Sequence, residues 1–533
     1  MAAPNSWVIE LLRCPHCAAV TRGAGQDDGR LTLYKDVWLL AECTRKYAIR
    51  EGIPVMLIEE GEKWMEVEPE NLPTLARKDS AQPAFDHGAV SASSIQPDLS
   101  VIIPALHEGP NLAVLLPGLC EVIGGIDIDY EILIITNETD GETIEVAEGF
   151  GARVVLQQQR GYGGALQTAF KDAKGTYLLT MDADLSHQPT FIPDLWRRRH
   201  DAEVIIASRY APGGSAEMPI HRYLLSRVLN VFFSRGLSLS VRDMSSGFRL
   251  LKADAVRNAR LSALDFDIVQ EVLVRAYAEG WTVQEAPMRY APRAEGSSHA
   301  RIIPFGLAYL RTFWSLWKLR NSILAADYDD RAHDSVIPLQ RYWQRSRFKH
   351  VTELIAGEGA VLDVGCGSSQ IIGALPSGSI AVDILLRKLR YARRFGKPLV
   401  QGSGFQLPFP AESFPCVVCS QVIEHVPKVS PMIDELCRVL APGGRLVLGT
   451  PDYASWVWVV LEKLYGFFAP GGYADEHIAH YTHNELISLF RERGFLPEEN
   501  RYILRGELIL AFRKPQTSSH GCGCSCSMPT GIL

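Results

Sequence analysis

The stretch Tyr177–Pro189, YLLTMDADLSHQP, decides how the middle of this chain folds: an apolar run ends abruptly in two aspartates, Asp182 and Asp184, one residue apart. The six apolar-rich residues predict a central strand. Carboxylates at its carboxyl end serve no packing purpose, and side-chain alternation puts both on one side of the sheet. Hard oxygen ligands so placed suit Mg²⁺ or Mn²⁺, which would in turn hold a diphosphate. A solvated strand end is the plain alternative for a lone D-x-D, and the surrounding sequence argues against it.

Before that stretch come LSVIIPALHEGPNL (99–112), YEILIIT (130–136) and ARVVLQ (152–157), with helical stretches between them. Near-continuous apolar strands alternating with helices predict a doubly wound α/β sheet, with ligands at the carboxyl ends of its strands. Pro104, Glu108 and Asn137 fall at such ends. Arg160-Gly161-Tyr-Gly-Gly, opening the helix ALQTAFKDAKG, offers positive charge and flexible backbone to a phosphate-bearing ligand.

Taken in order, RGYGGAL (160–166), MDADLSHQP (181–189), ASRYAPGG (207–214), HRYLLSR (221–227), VRDMSSGFRLL (241–251) and GSSHAR (296–301) resemble family 2 glycosyltransferases of the dolichol-phosphate mannose synthase type. The resemblance covers nearly all of residues 98–325 and implies a GT-A domain. It implies that Asp182 and Asp184 hold the divalent metal on a nucleotide-sugar, that Arg209, Arg222 and Ser226 gather phosphate groups, and that Arg301 belongs to a closing lid. A polyprenyl phosphate acceptor would need no general base, because its oxygen is already ionised; a glycan hydroxyl acceptor would need a carboxylate. Asp243 is the candidate for that base, or else it orients its loop. The family's D-D-G-S stretch is here Thr136-Asn137-Glu138-Thr139, and His299 stands where a lysine is usual, which leaves the donor open.

Further on, AVLDVGCG (360–367) is an apolar strand ending in a glycine turn, and SIAVD (379–383) follows with Asp383 twenty positions after Asp363. That pattern cradles a nucleotide in Rossmann-like units, with the acid on ribose hydroxyls. With LPFPAESFPCVVCSQVIEHV (407–426) and DELCRVLAPGGRLVLGTP (434–451), residues 341–515 resemble class I S-adenosylmethionine methyltransferases. The resemblance implies that Asp363, Gly365, Gly367 and Asp383 hold the cofactor, with Leu407, Glu424 and His425 along its adenine and methionine ends. The third turn glycine is replaced by Ser369. His477 and His480 could serve as a base, gate an acceptor pocket or bind a metal; no acid or cysteine is visibly placed to complete a metal site, so polar lining is expected. The apolar run 456–468 reads as part of an acceptor-side cap or as a second membrane-touching surface.

At the N-terminus, Cys14 and Cys17 form a C-x-x-C knuckle and Cys43 follows a short strand-like run. Thiolates so spaced commonly hold zinc in place of a core too small to stand alone. LLRCPHC (11–17) and CTRKYAIREGIPVML (43–57) resemble the small zinc ribbons that activate class I methyltransferases. Where that family often has a further cysteine this chain has Leu40, leaving three candidate Zn²⁺ ligands.

The 533 residues predict about three domains. Residues 1–60 read as a zinc-ribbon-like domain, 61–97 and 326–340 as linkers, 98–325 and 341–515 as two α/β domains, and 516–533 as a disordered tail holding Cys522, Cys524 and Cys526. A net charge of −7 argues against nucleic acid as a partner. No secretory signal and no membrane-length apolar run is read, and the cysteines suit a reducing compartment, so a cytoplasmic protein is expected. Residues 301–321, bulky apolar with four basic side chains, suit either a helix lying on an anionic membrane or one packing on the domain's own sheet. The expectation is a transferase adding a sugar to a polyprenyl phosphate or glycan and a methyl group in the same pathway. Two alternatives stay open: a methyltransferase whose middle domain only binds a nucleotide-sugar or glycan, and an RNA or protein methyltransferase.

Overall fold

The computed structural model describes residues 4–20, 29–73, 96–290, 302–468 and 477–516. The predicted lid with Arg301 and the cysteine tail lie outside them.

The first sheet has seven strands in the order Val283–Pro287, Val204–Ser208, Arg249–Lys252, Tyr177–Thr180, Leu99–Pro104, Tyr130–Thr136, Arg153–Leu156. Tyr177–Thr180 is the middle strand, as its apolar run requires. It pairs in parallel with Leu99–Pro104 and antiparallel with Arg249–Lys252, so the sheet is mixed rather than wholly parallel. Leu178 and Leu179 are fully enclosed on opposite faces, one in each of two apolar clusters that sandwich the sheet. The strand stops at Thr180. The two aspartates therefore sit on a loop beyond it and not on the strand itself, with Leu185 at φ 63 turning the chain.

The second sheet has eleven strands. Seven belong to the C-terminal part, where Val361–Val364, Ile380–Asp383, Leu399–Gly402 and Phe414–Ser420 run parallel. The other four, Leu31–Tyr34, Trp38–Ala41, Lys46–Arg50 and Ile53–Met56, form an N-terminal antiparallel meander. The meander does not stand apart. Its last strand pairs in parallel with Leu399–Gly402, Val55 opposite Gln401 and Met56 opposite Gly402. Val8, Leu12, Leu39, Tyr47 and Met56 share one apolar cluster with Val364, Val382, Leu407 and Phe409. The physical reason is the one that makes zinc ribbons need zinc: so few strands cannot enclose a core alone, and here a neighbouring sheet completes it.

The stretch 326–340 is not an open bridge. It contains the helix Tyr328–His333, anchored by Asp327, which takes a two-pronged ion pair from the fully buried Arg320 at 2.7 and 2.6 Å. Arg390, on the helix Leu386–Ala392, ties the parts together. Its guanidinium meets Glu51 at 2.9 Å, donates to the Glu279 carbonyl at 2.6 Å and lies 3.7 Å from the Trp281 ring centroid. Among the described residues no helix is long and apolar enough to cross a membrane.

Candidate active sites

In the first sheet the loop beyond Thr180 is fixed from several sides. The Asp182 N–H donates to His187 Nδ1 at 2.9 Å, and Asp182 Oδ1 accepts the Tyr162 hydroxyl at 3.0 Å. Ser186 donates its N–H and its hydroxyl to Asp184 Oδ1. Both aspartates stay part-exposed, so oxygen remains available to a cation. Tyr162 was not singled out from sequence. Burial, reinforced by Asp182, pushes its phenol well above the ordinary range and keeps it a hydrogen-bond donor.

Arg209, Arg222 and Ser226 converge. They line one cavity of about 270 Å³ whose other walls include Leu225, Leu229 and Phe233. Arg222 is exposed on the helix Ile220–Gly236, and Ser226 accepts the Tyr210 hydroxyl at 2.8 Å. Arg209 is gripped by Asp243, Nε to Oδ2 at 2.8 Å and a terminal nitrogen to Oδ1 at 2.7 Å. Asp243 has no exposed surface. Burial alone would raise its carboxyl, yet the bonds and charge of Arg209 outweigh this and hold it below the usual carboxylate range. The enclosed carboxylate thus has both oxygens engaged by Arg209, the arrangement of a positioning group. Ser245 of the same loop lines the cavity, and a Cβ at Gly247, two residues on, would lie 3.0 Å from the Tyr162 hydroxyl and 3.5 Å from Asp182 Oδ1. The carboxylate loop and the cavity are therefore neighbours.

The glycines of 161–164 pack closely against the segment at Ala263 and Leu264. A Cβ at Gly163 would lie 2.4 Å from the Ala263 carbonyl and one at Gly161 2.3 Å from that of Leu264. The Gly163 and Gly164 N–H groups both donate to the Leu264 carbonyl, at 2.8 and 3.3 Å. The start of this helix is thus closed by its own protein, while Arg160 beside it is exposed. Asn137 Oδ1 is engaged by the Thr139 N–H and hydroxyl. The nearby carboxylate, Asp140, is enclosed and accepts from the His107 N–H and Thr136. Pro104 closes its strand, and Glu108 accepts from Asn111 at 2.6 Å at the start of the next helix.

In the second sheet the glycine turn has the expected form, with Gly365 and Gly367 at φ 72 and 57. Asp383 accepts the Gly367 N–H at 2.9 Å and the Leu385 N–H at 2.8 Å, which ties turn to acid. Asp363 is wholly enclosed beneath them; burial, then the Asp383 charge, raises its carboxyl to about 7. Ser369, in place of a third glycine, accepts the Ile371 N–H at 3.2 Å and opens the helix that follows. Sequence reasoning missed Asp329. From the helix Tyr328–His333 its Oδ2 accepts the Ser368 N–H at 3.0 Å and meets Lys388 Nζ at 2.9 Å. A Cβ at Gly367 would sit 2.5 Å from that same oxygen. Such a contact carries no local signal in a stretch that reads as a polar bridge. Leu407 does not line this site: its side chain is fully enclosed in the core and its N–H donates to Glu435 at 2.7 Å. An apolar side chain beside a buried acceptor gains more by packing inward. Glu424 and His425 meet His477, one ligand atom of each lying within 4.8 Å of the others.

Cys14, Cys17 and Cys43 also converge within 4.8 Å. Cys14 Sγ lies 3.6 Å from Cys43 Sγ and 3.1 Å from the Tyr47 hydroxyl. Leu40 packs instead with the Trp38 cluster. Burial pushes the Cys17 thiol up to about 12; at Cys43 the hydrogen bonds of Arg45 outweigh burial and lower it. Three thiols with one of them acidified fit a soft divalent metal, which would take the protons' place.

Known proteins bear on both sheets. The profile described as glycosyl transferase family 2 matches residues 100–259, and one described as a methyltransferase domain matches residues 362–448. The low-salt glycan biosynthesis hexosyltransferase Agl6 of Haloferax volcanii is 31% identical over 229 residues, which are 41% of this chain and 54% of that protein. The dolichol-phosphate mannosyltransferase of Pyrococcus furiosus is 30% identical over 236 residues, 42% of this chain and 65% of that protein. The dolichol-phosphate mannosyltransferase of Saccharomyces cerevisiae is 30% identical over 219 residues, 38% of this chain and 80% of that protein. The chain thus spans less than two thirds of the first two relatives and most of the third. The chain belongs to glycosyl transferase family 2, and a class I, S-adenosylmethionine-dependent methyltransferase domain follows its glycosyltransferase domain.

Proposed function

We propose that the protein transfers a sugar from a nucleotide-sugar to a polyprenyl phosphate, with Mg²⁺ or Mn²⁺ on Asp182 and Asp184, and methylates a molecule of the same pathway. The observation that carries the first half is the cavity that joins Arg209, Arg222 and Ser226 to Leu225, Leu229 and Phe233. Cationic groups above an apolar wall suit a phosphate with a hydrocarbon tail better than they suit a glycan. An ionised phosphate oxygen can attack the sugar's anomeric carbon while the nucleoside diphosphate leaves, and no base is needed. That agrees with an Asp243 that only holds Arg209.

The second half follows from Gly365, Gly367 and Asp383, which would hold S-adenosylmethionine, with Asp363 beneath and Glu424 and His425 beyond. The cofactor would supply the methyl group. The three cysteines would hold Zn²⁺ in the meander, steadying the edge of the methyltransferase sheet. The helix Ile220–Gly236 leaves Ile220, Leu224, Leu225 and Val228 more than half exposed, and the helix Ile302–Asn321 adds Leu310 and Trp314. Phe232 and Phe313 pack the two helices together, ring centroids 4.7 Å apart. Apolar side chains beside Arg222, Arg227 and Arg311 support a peripheral site on an anionic membrane surface.

The test is transfer from a panel of labelled nucleotide-sugars to a polyprenyl phosphate in detergent, with and without Mn²⁺. Asp184→Asn should abolish it. A second reading, binding of a nucleotide-sugar without transfer, draws on the closed amides of Gly163 and Gly164 and the engaged Asn137. Binding of a donor with no transfer across the panel would favour it.

A further inference from the structure

Beyond the carboxyl ends of Phe414–Ser420 and Leu440–Pro451, three segments bring together side chains to which the two transfer reactions assign no common task. Glu424 follows the first strand, Tyr453 the second, and His477 comes from the segment after the helix Trp456–Phe468. The Glu424 carbonyl accepts the N–H groups of Ile478 and Ala479 at 2.8 and 2.9 Å, which fixes His477 beside it.

Glu424 has no exposed surface. Its Oε2 accepts the Thr450 hydroxyl at 3.1 Å, whereas Oε1 accepts no hydrogen bond among the described residues. Among them no lysine or arginine pairs with it either. A carboxyl so enclosed, with one oxygen left unpartnered beside two imidazoles, is costly to keep without a ligand. The rings of His425 and His477 stand 5.0 Å apart by centroid, and the His477 side chain is 2% exposed. Its Nδ1 meets Glu462 Oε1 at 3.2 Å and the Tyr453 hydroxyl at 2.7 Å. A carboxylate holding one imidazole nitrogen fixes the tautomer that presents the other nitrogen to a metal. This is the carboxylate that the H-x-x-H spacing alone did not reveal.

We propose that Glu424, His425 and His477 form a binding site for a divalent transition-metal cation of the zinc type, with Glu462 orienting His477. Two imidazoles and one carboxylate are a donor set that zinc and cobalt take up, and three protein ligands leave a further position for water or a substrate oxygen. Val422 lies against Gly365, so the site adjoins the glycine turn on the acceptor side. An oxygen of the methyl acceptor is the ligand class that would complete the shell. That last step rests on the methyltransferase reading; cation binding does not.

The experiment counts Co²⁺ bound by the full chain carrying Asp184→Asn, by equilibrium dialysis, alone and combined with His477→Ala or Glu424→Gln. Cobalt at the cysteines is followed separately by its near-ultraviolet thiolate band. Each added substitution should remove one equivalent of Co²⁺ and leave the thiolate band intact, which also shows that the variants fold. His480→Ala, on the ring stacked against Tyr453, should retain the full count. Unchanged stoichiometry in both Glu424→Gln and His477→Ala overturns the site. Loss of methyl transfer with that stoichiometry unchanged overturns it equally, while leaving the methyltransferase reading in place.

Discussion

Asp329 Oδ2 lies 2.9 Å from Lys388 Nζ and also receives the N–H and the hydroxyl of Ser368. A carboxylate from the segment between the two sheets thereby sits on the glycine turn of the second. Burial would raise its carboxyl, and Lys388 reverses this and holds it below the ordinary range. Asp329→Asn keeps the shape and removes the charge. It should destabilise the chain by about 1.5–3 kcal/mol, the span for hydrogen bonds to a charged group. It should also weaken S-adenosylmethionine binding, because the turn loses its outer support. Urea denaturation and calorimetric titration read the two effects; no change in either would make Asp329 a bystander.

Arg209 and Asp243 act as a unit, and the second prediction separates positioning from proton transfer. Asp243→Asn should lower sugar transfer up to roughly a hundredfold through misplacement of Arg209. The acid limb of the pH–rate profile should keep its shape. A base removed from the reaction would instead erase that limb. A profile that changes shape while the fold is intact would return Asp243 to the catalytic step.

What could be read from sequence was what local pattern controls. The apolar run at Tyr177 fixed the middle strand, and short motifs singled out Arg209, Arg222 and Ser226, which the fold brings to one cavity. The reading failed where partners are remote. The pairing of Val55 with Gln401 crosses most of the chain, and a parallel ladder leaves no turn or spacing to betray it. Asp329 was hidden for the same reason, since its partner Ser368 comes from another segment; Glu424 was legible from its motif, but its meeting with His477 was not. The glycines at 161–164 are ambiguous in another way. Phosphate cradles and tight packing against a carbonyl both demand glycine, and only the position of Leu264 separates them.

Asp363 gives the chain a pH dependence of definite sign. Its carboxyl stands at about 7 when folded, against about 3.9 for a free aspartate. The folded state therefore binds the proton more tightly. The resulting stability is fully present below about pH 4 and is lost as pH rises through 7. The cause is the charge then forced into an enclosed site beside Asp383. Melting temperature against pH for the chain and for Asp363→Asn should show this fall in the first and a shallower slope in the second. Parallel curves would mean that Asp363 titrates alike in the folded and the unfolded chain.

The exposed face of Ile220–Gly236 leads to the last prediction. Leu224 and Val228 are 58% and 64% exposed, one helical turn apart, and neither lines the cavity. Burying such a side chain in a membrane interface gains about 1.5–3 kcal/mol at full burial. Leu224→Glu and Val228→Glu should each weaken binding to vesicles of phosphatidylcholine and phosphatidylglycerol by roughly tenfold or more, since each also adds charge repulsion. Transfer to a short-chain, water-soluble phosphate acceptor should persist, because Arg209, Arg222 and Ser226 are untouched. The two readouts divide the possibilities. Vesicle binding that survives both substitutions would move the membrane surface away from this helix. Loss of transfer to the soluble acceptor would mean that the face shapes the cavity itself, since Leu225 on the same helix forms part of its wall.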